Sequence, residues 1–127
     1  MTGRKKGRLA FTLIEVMIVV AIIGLLAAIA IPNFVRSREH AQTNTCINNL
    51  RLIDATKQQW ALEFRKVGSD EPTITELAPY LVRGVNGRLP ACPSAAGNTN
   101  FDSSYTINAV SNPPVCVIAS ETHKLPL

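Results

Sequence analysis

The sequence is poor in the residues that build chemical sites. Of 127 residues only 17% are charged and 6% aromatic, and there are two histidines. After Glu76 only Asp102 and Glu121 are acidic, too few for a hard cation that wants several oxygen ligands. The three cysteines, Cys46, Cys92 and Cys116, contain no close C-x2-C pair, the usual spacing of a zinc site. His123 therefore reads as a surface or hairpin-end residue. There is no G-x-x-x-x-G-K phosphate loop and no Ser, His and Asp set in a nucleophile context. No enzyme activity, cofactor or metal is expected. Basic patches interleaved with aromatics, the footprint of a nucleic-acid binder, are also missing. The excess of 13 Lys and Arg over nine acids is local: four of the basic residues and none of the acids fall in residues 1–10. Beyond that point the charges balance.

What the sequence has in abundance is one apolar run. From Val16 to Ile31 every residue is apolar or glycine, and the run begins in effect at Phe11. A helix over Phe11–Ile31 spans about 31 Å at 1.5 Å per residue, the thickness of a bilayer's hydrocarbon core. Arg4, Lys5, Lys6 and Arg8 precede it and hold the N-terminus on the cytoplasmic side. Glu15 alone is charged within the run's edge. It either snorkels to the headgroups or has a cationic partner, which a cut before Phe11 would create as a new α-amine. A secretory signal peptide is the competing reading, with Ala28-Ile29-Ala30 as its cleavage site. The length of the run, Glu15 at its edge and Pro32 close behind that site stand against it.

Gly24 and Pro32 weaken the helix without ending it, and a kink is expected at Pro32, which crowds the carbonyl of Ala28. From Asn33 to Val67 there is no further proline and no glycine. Apolar residues recur at Cys46, Leu50, Ile53, Trp60, Phe64 and Val67, which holds one helical face. Trp60 and Phe64 are read as core. Gly68 is expected as the left-handed C-cap. Thr73 and Glu76 fit a capping box that starts a short helix through Leu81, with Leu77, Tyr80 and Leu81 inward. Val82 to Arg88 reads as loop and turn. Ser104–Val110 and Val115–Ala119 read as an antiparallel hairpin around Ser111-Asn112-Pro113-Pro114, packed on the amphipathic helix face. The predicted fold is α+β, a long N-terminal helix packed on a small antiparallel sheet. Its parts are residues 1–10, 11–32, 33–68 and a globular part, 69–127.

Ala10-Phe11-Thr12-Leu13-Ile14-Glu15, with the basic leader before it and the apolar helix behind, resembles the N-terminus of type IV prepilins and of type II secretion pseudopilins. The resemblance is specific and covers about a quarter of the chain; a weaker one links residues 41–64 and the terminal cysteines to G-like pseudopilins. The usual residue before the cut is glycine, and this chain has Ala10, the nearest in size. The resemblance implies a pilin-like fold and a structural filament subunit, foremost a type II secretion pseudopilin. Alternatives are a type IV pilin for adhesion, motility or DNA uptake, and an anchored binding module that never polymerises. It also implies removal of residues 1–10 by a prepilin peptidase, N-methylation of Phe11, and assembly with copies of itself and other pilin-like subunits through Glu15. An inner-membrane platform with a cytoplasmic ATPase would drive assembly. The protein would sit as a single pass in the bacterial inner membrane, its C-terminal part periplasmic. Some G-like pseudopilins bind calcium, for which this chain has few acids.

Three cysteines allow three single pairings. Cys92–Cys116 is favoured because both flank the hairpin, outside the cytoplasm, where disulfides persist. A bridge from Cys46 to either, or none, is left open. Mass spectrometry of the protein from its native membrane should give Phe11 as first residue, carrying one extra methyl. A product starting at Ile31, or an intact Met1 beside an active peptidase, contradicts the processing reading.

Overall fold

The computed structural model describes residues 10–82, 87–95, 97 and 100–126. Residues 1–9 of the expected leader lie outside them, as does most of the expected turn at 83–86. The described elements are α1 (Leu13–Glu63), α2 (Ile74–Leu81), α3 (Phe101–Ser104), β1 (Tyr105–Thr106) and β2 (Val115–Cys116). The chain divides into two compact units, Met1–Ser37 and Arg38–Leu127. The fold is α+β and pilin-like, with a long N-terminal helix and a small antiparallel sheet.

In the first unit α1 is apolar on every face. Leu13, Ile14, Met17, Leu25, Leu26 and Ile29 are all more than 60% exposed. Contiguous apolar exposure on this scale marks a membrane or protein contact, and α1 is long and apolar enough to cross a bilayer. Pro32 sits inside the helix. Its missing N–H leaves the Ala28 carbonyl without its usual partner.

In the second unit α1 buries a stripe formed by Cys46, Leu50, Ile53, Trp60 and Ala61. Leu77 and Leu81 of α2 pack on it, with Cys92, Phe101, Tyr105, Val110 and Cys116. The steps from 46 to 50, 53, 57, 60 and 61 follow a helix period. The position at 57 is held by a lysine, fully buried, which the pattern of apolar residues passed over. Lys57 Nζ donates to the carbonyls of Ile107 and Ala109, both at 3.0 Å, and to that of Asn112. Asp54 stands 3.9 Å away. Burial lowers the ammonium's pKa, while Asp54 and Glu71 oppose that shift. A buried charge is tolerated only when so satisfied.

Lys57 also explains why the predicted hairpin is short. Tyr105 pairs with Cys116 and Thr106 with Val115, and there the ladder stops. The carbonyls of residues 107, 109 and 112 turn to Lys57, and Gln58 Nε2 donates to that of Val110 at 3.1 Å. Asn108 adopts the left-handed region, φ 60°, which no strand accommodates. Its amide closes the bend on the Pro113 carbonyl at 2.9 Å. A one-turn helix, α3, precedes the sheet and takes in Ser104, which the alternating pattern placed in the first strand.

The end of α1 differs from the expected one. The helix closes at Glu63, and Arg65 rather than Gly68 takes the left-handed conformation, φ 52°. Lys66 N donates back to the Ala61 carbonyl at 2.9 Å, a six-to-one closure of the Schellman type. Gly68 serves close approach instead. A Cβ there would stand 3.2 Å from Ser111 Cβ, and its carbonyl accepts from Ser111 N at 2.9 Å. Phe64 and Val67 therefore fall beyond the helix and are exposed, where periodicity had placed them on the buried face. Thr73 caps α2 as expected, and Glu76 accepts from its backbone N–H at 2.8 Å. Leu77 and Leu81 are buried; Tyr80 is half-buried with its hydroxyl on Glu63.

Lys57→Met should destabilise the second unit by about 3 kcal/mol, because three carbonyls of the covering loop lose their shared charged donor while the side-chain stem is kept. Urea unfolding of the detergent-solubilised chain, followed by Trp60 fluorescence, measures it. A change below about 0.5 kcal/mol would contradict the role given to the ammonium.

Candidate functional site

The first site is the start of α1. Thr12 and Glu15 form a reciprocal cap. Glu15 N donates to Thr12 Oγ1 at 3.3 Å, and Thr12 N donates to Glu15 Oε2 at 3.4 Å. This is the capping-box pattern, a hydroxyl residue followed three positions on by a carboxylate. The signal stands in the sequence as Thr12-Leu13-Ile14-Glu15 and was overlooked beside the apolar run. Glu15 thus has a local structural duty in addition to any partner. Ala10 and Phe11 precede the helix and are exposed. Gly24 lies mid-helix, and a Cβ built there would meet nothing within 4 Å. Packing within the first unit does not require it to be glycine.

The second site lies in the core of the second unit. Cys46 comes from α1, Cys92 from the described segment 87–95 after α2, Cys116 from β2 and His123 from the C-terminal turn. All four are buried, and their ligand atoms lie within 4.8 Å of one another. The three cysteines are free thiols in this structure. Cys92 Sγ is 3.6 Å and Cys116 Sγ 3.7 Å from His123 Nδ1. The other ring nitrogen, Nε2, is 3.2 Å from Thr43 Oγ1 on α1.

Local structure holds each member. Cys92 N donates to Ser104 Oγ at 3.1 Å, and that hydroxyl donates on to the Asn100 carbonyl at 2.8 Å. Cys116 is fixed by its pairing with Tyr105. His123 N donates to the Ala119 carbonyl at 2.8 Å, closing the turn that carries it. The Tyr105 hydroxyl accepts from Asn49 Nδ2 at 3.0 Å and bonds Cys46, which lowers that thiol's pKa; burial raises it far more, well above the ordinary range. Burial likewise pushes the His123 imidazole down, so at neutral pH it is a neutral nitrogen ligand or acceptor.

The sequence favours a Cys92–Cys116 bridge, leaves one from Cys46 to either open, and reads His123 as a surface or hairpin-end residue. The fold brings all four together. Zinc was discounted because no two cysteines are close in sequence, but here the ligand-type atoms converge from four separate segments.

Comparison with known proteins bears on the first site. The prokaryotic N-terminal methylation motif matches residues 5–31. The type IV major pilin protein PilA of Myxococcus xanthus is 47% identical over 53 residues, 42% of this chain and 24% of that protein. A fimbrial protein of Pseudomonas aeruginosa is 39% identical over 64 residues, 50% of this chain and 42% of its own. The type II secretion system core protein G of Escherichia coli is 28% identical over 102 residues, 72% of this chain and 68% of its own. The pilin matches thus span less than half the length of those relatives. No solved structure matches the chain at a significant level. The chain carries the N-terminal methylation motif of prepilins and is homologous to type IV pilins and to the type II secretion pseudopilin, protein G.

Proposed function

We propose that this protein is a subunit of a type IV pilus-like filament, and within that class a type II secretion pseudopilin. The observation that carries the finer reading is the reach of the similarity. The pilin matches cover 42% and 50% of this chain, whereas the match to core protein G covers 72%, more than the leader and α1 together can supply, and so reaches beyond Glu63. Proteins that share only the first helix share a means of assembly. Similarity that continues past α1 into the segments packed on it supports a shared task, here protein secretion.

The mechanism runs through the first helix. A prepilin peptidase cuts between Ala10 and Phe11 and methylates the new amine. Arg38–Leu127 faces the periplasm, while the apolar half of α1 rests in the inner membrane. Subunits leave the bilayer laterally under an assembly ATPase, and the apolar surface around Leu13–Ile31 exchanges lipid for neighbouring helices. That exchange is close to neutral in apolar burial, since lipid tails are as apolar as leucine. Register must therefore come from a polar interaction. The Phe11 amine has a reference pKa near 7.7–8.0 and is largely cationic at neutral pH. Paired with Glu15 of a neighbouring subunit, it fixes the axial offset, because slippage would strand both charges in an apolar core. Gly24 and Pro32 give the helix two weak points at which to adapt on entering the filament.

Glu15 has both a cap and a charge to lose, and two variants separate them. Glu15→Gln keeps a side chain that can close the capping box but has no charge; Glu15→Ala loses both. Both should insert, be cleaved and fold the outer unit, since removing a charge eases insertion. Both should fail to enter filaments made only of themselves and should accumulate in the inner membrane. The measurement is the sheared filament fraction at matched membrane levels. Filament yield from Glu15→Gln equal to that of the unaltered chain would show that the carboxylate serves only as a cap.

A further inference from the structure

We propose that Cys46, Cys92, Cys116 and His123 form a structural zinc site that ties the outer unit to α1. The distances fit. Tetrahedral zinc, with Zn–S near 2.3 Å and Zn–N near 2.0–2.1 Å, sets sulfur and nitrogen ligands about 3.5 Å apart and two sulfurs about 3.8 Å apart. Here Cys92 Sγ and Cys116 Sγ stand 3.6 and 3.7 Å from His123 Nδ1, and all four ligand atoms lie within 4.8 Å of one another. A disulfide would use two of the sulfurs at about 2.0 Å and leave a third thiol and an imidazole in the same dry interior without a task.

The donor set selects the ion. Three thiolates and one imidazole are soft to borderline ligands, wrong for calcium or magnesium and right for zinc. Four protein ligands complete a tetrahedron and leave no open position, which is the arrangement of a structural rather than a catalytic site. On binding, three thiol protons leave, and the dication replaces three neutral thiols with a cluster of net charge −1. The surroundings receive that charge. The Tyr105 hydroxyl, oriented by Asn49 at 3.0 Å, is placed to donate to the Cys46 sulfur. With Nδ1 on the metal, His123 Nε2–H donates to Thr43 Oγ1 at 3.2 Å, the outer partner that a ligating histidine needs to fix its tautomer. A pocket of about 230 Å³, lined by Pro113, Pro114, Val115 and Leu125, reaches His123 from solvent and supplies an entry path.

The site also answers a deficit of the fold. Beyond Leu81 regular structure amounts to one helical turn and two strands of two residues each among the described residues. The four ligands come from α1, the Cys92 segment, β2 and the C-terminal turn. One ion therefore pins three otherwise weakly structured stretches to the long helix, and its binding free energy becomes folding free energy.

The test uses the full chain, purified in detergent without added chelator, with elemental analysis of its metals. The expected result is one zinc per chain. Exchange with Co2+ should give tetrahedral ligand-field bands and a thiolate-to-cobalt charge-transfer band. His123→Ala and Cys116→Ser should lose the metal. His123→Cys should regain it with a stronger charge-transfer band, which separates ligand loss from misfolding. Thr43→Val should weaken Co2+ affinity by roughly 10- to 100-fold with the band positions kept. Three results would overturn the proposal. One is a Cys92–Cys116 disulfide in peptide maps of the chain from its native membrane. Another is no tetrahedral cobalt spectrum from the reduced chain. The third is equal zinc content in the unaltered chain and in His123→Ala, which identifies an adventitious ion only. None of these bears on filament assembly, so the site and the proposed function stand or fall separately.

Discussion

The outer unit depends on one buried stripe of α1 and on the ammonium in the middle of it. Leu50, Ile53, Trp60 and Ala61 offer apolar surface, but the segment that must cover them, residues 105–117, is short of large apolar side chains. It cannot be held by burial alone. Lys57 solves this by offering three donors to three carbonyls of that segment at once. A charge buried in low dielectric is costly unless its hydrogen bonds are complete. That cost makes the arrangement specific: any other path of the 107–112 loop would strand the ammonium. Gln58, Gly68 and Asp70 then fasten the same loop to the end of the helix through the Val110 carbonyl, Ser111 N and Val110 N.

Two demands are thus written along a single helix. Among the described residues up to Ile31 nearly every side chain is exposed, and the sequence is apolar without regard to face. From Cys46 onward only the stripe facing the core is constrained, and Arg51, Gln59 and Glu63 lie exposed. A segment that faces lipid, and under the proposed function other helices, needs uniform apolarity. A segment that nucleates a domain needs periodicity. The change between them, just past Pro32, was readable because the two patterns differ in kind. So were the capping box of α2 and the burial of Leu77 and Leu81, each of which rests on contacts a few residues apart.

What the sequence concealed rests on contacts between distant residues. A lysine on a helix ordinarily reads as solvated, and nothing near Lys57 says that carbonyls fifty residues later will meet it. The hairpin was overdrawn for the same reason: alternation in Ser104–Val110 is real, but Asn108 and the pull of Lys57 end the ladder at Thr106. Phe64 and Val67 keep the helical spacing, yet the helix closes before them at Glu63. Cys46 was legible as a thiol on the apolar face of α1, and Cys92 and Cys116 as residues flanking the hairpin region. Their meeting with His123 depends on the turn that follows β2, to which no periodicity applies. Conversely, the Thr12–Glu15 cap was fully local and fully legible.

The central physical claim is that residues 105–117 are ordered by α1 and not by a sheet of their own. Amide hydrogen exchange of the full chain in detergent tests it directly. The account predicts that the amides of Val110, Ser111 and Val117, bonded to Asp70, Gly68 and Ser104, exchange together with those of α1 around residues 50–61, as one cooperative unit with a common opening free energy. Rapid exchange across 105–117 while the helix stays protected would contradict it, and would mean that the loop merely rests on a helix that needs no cover.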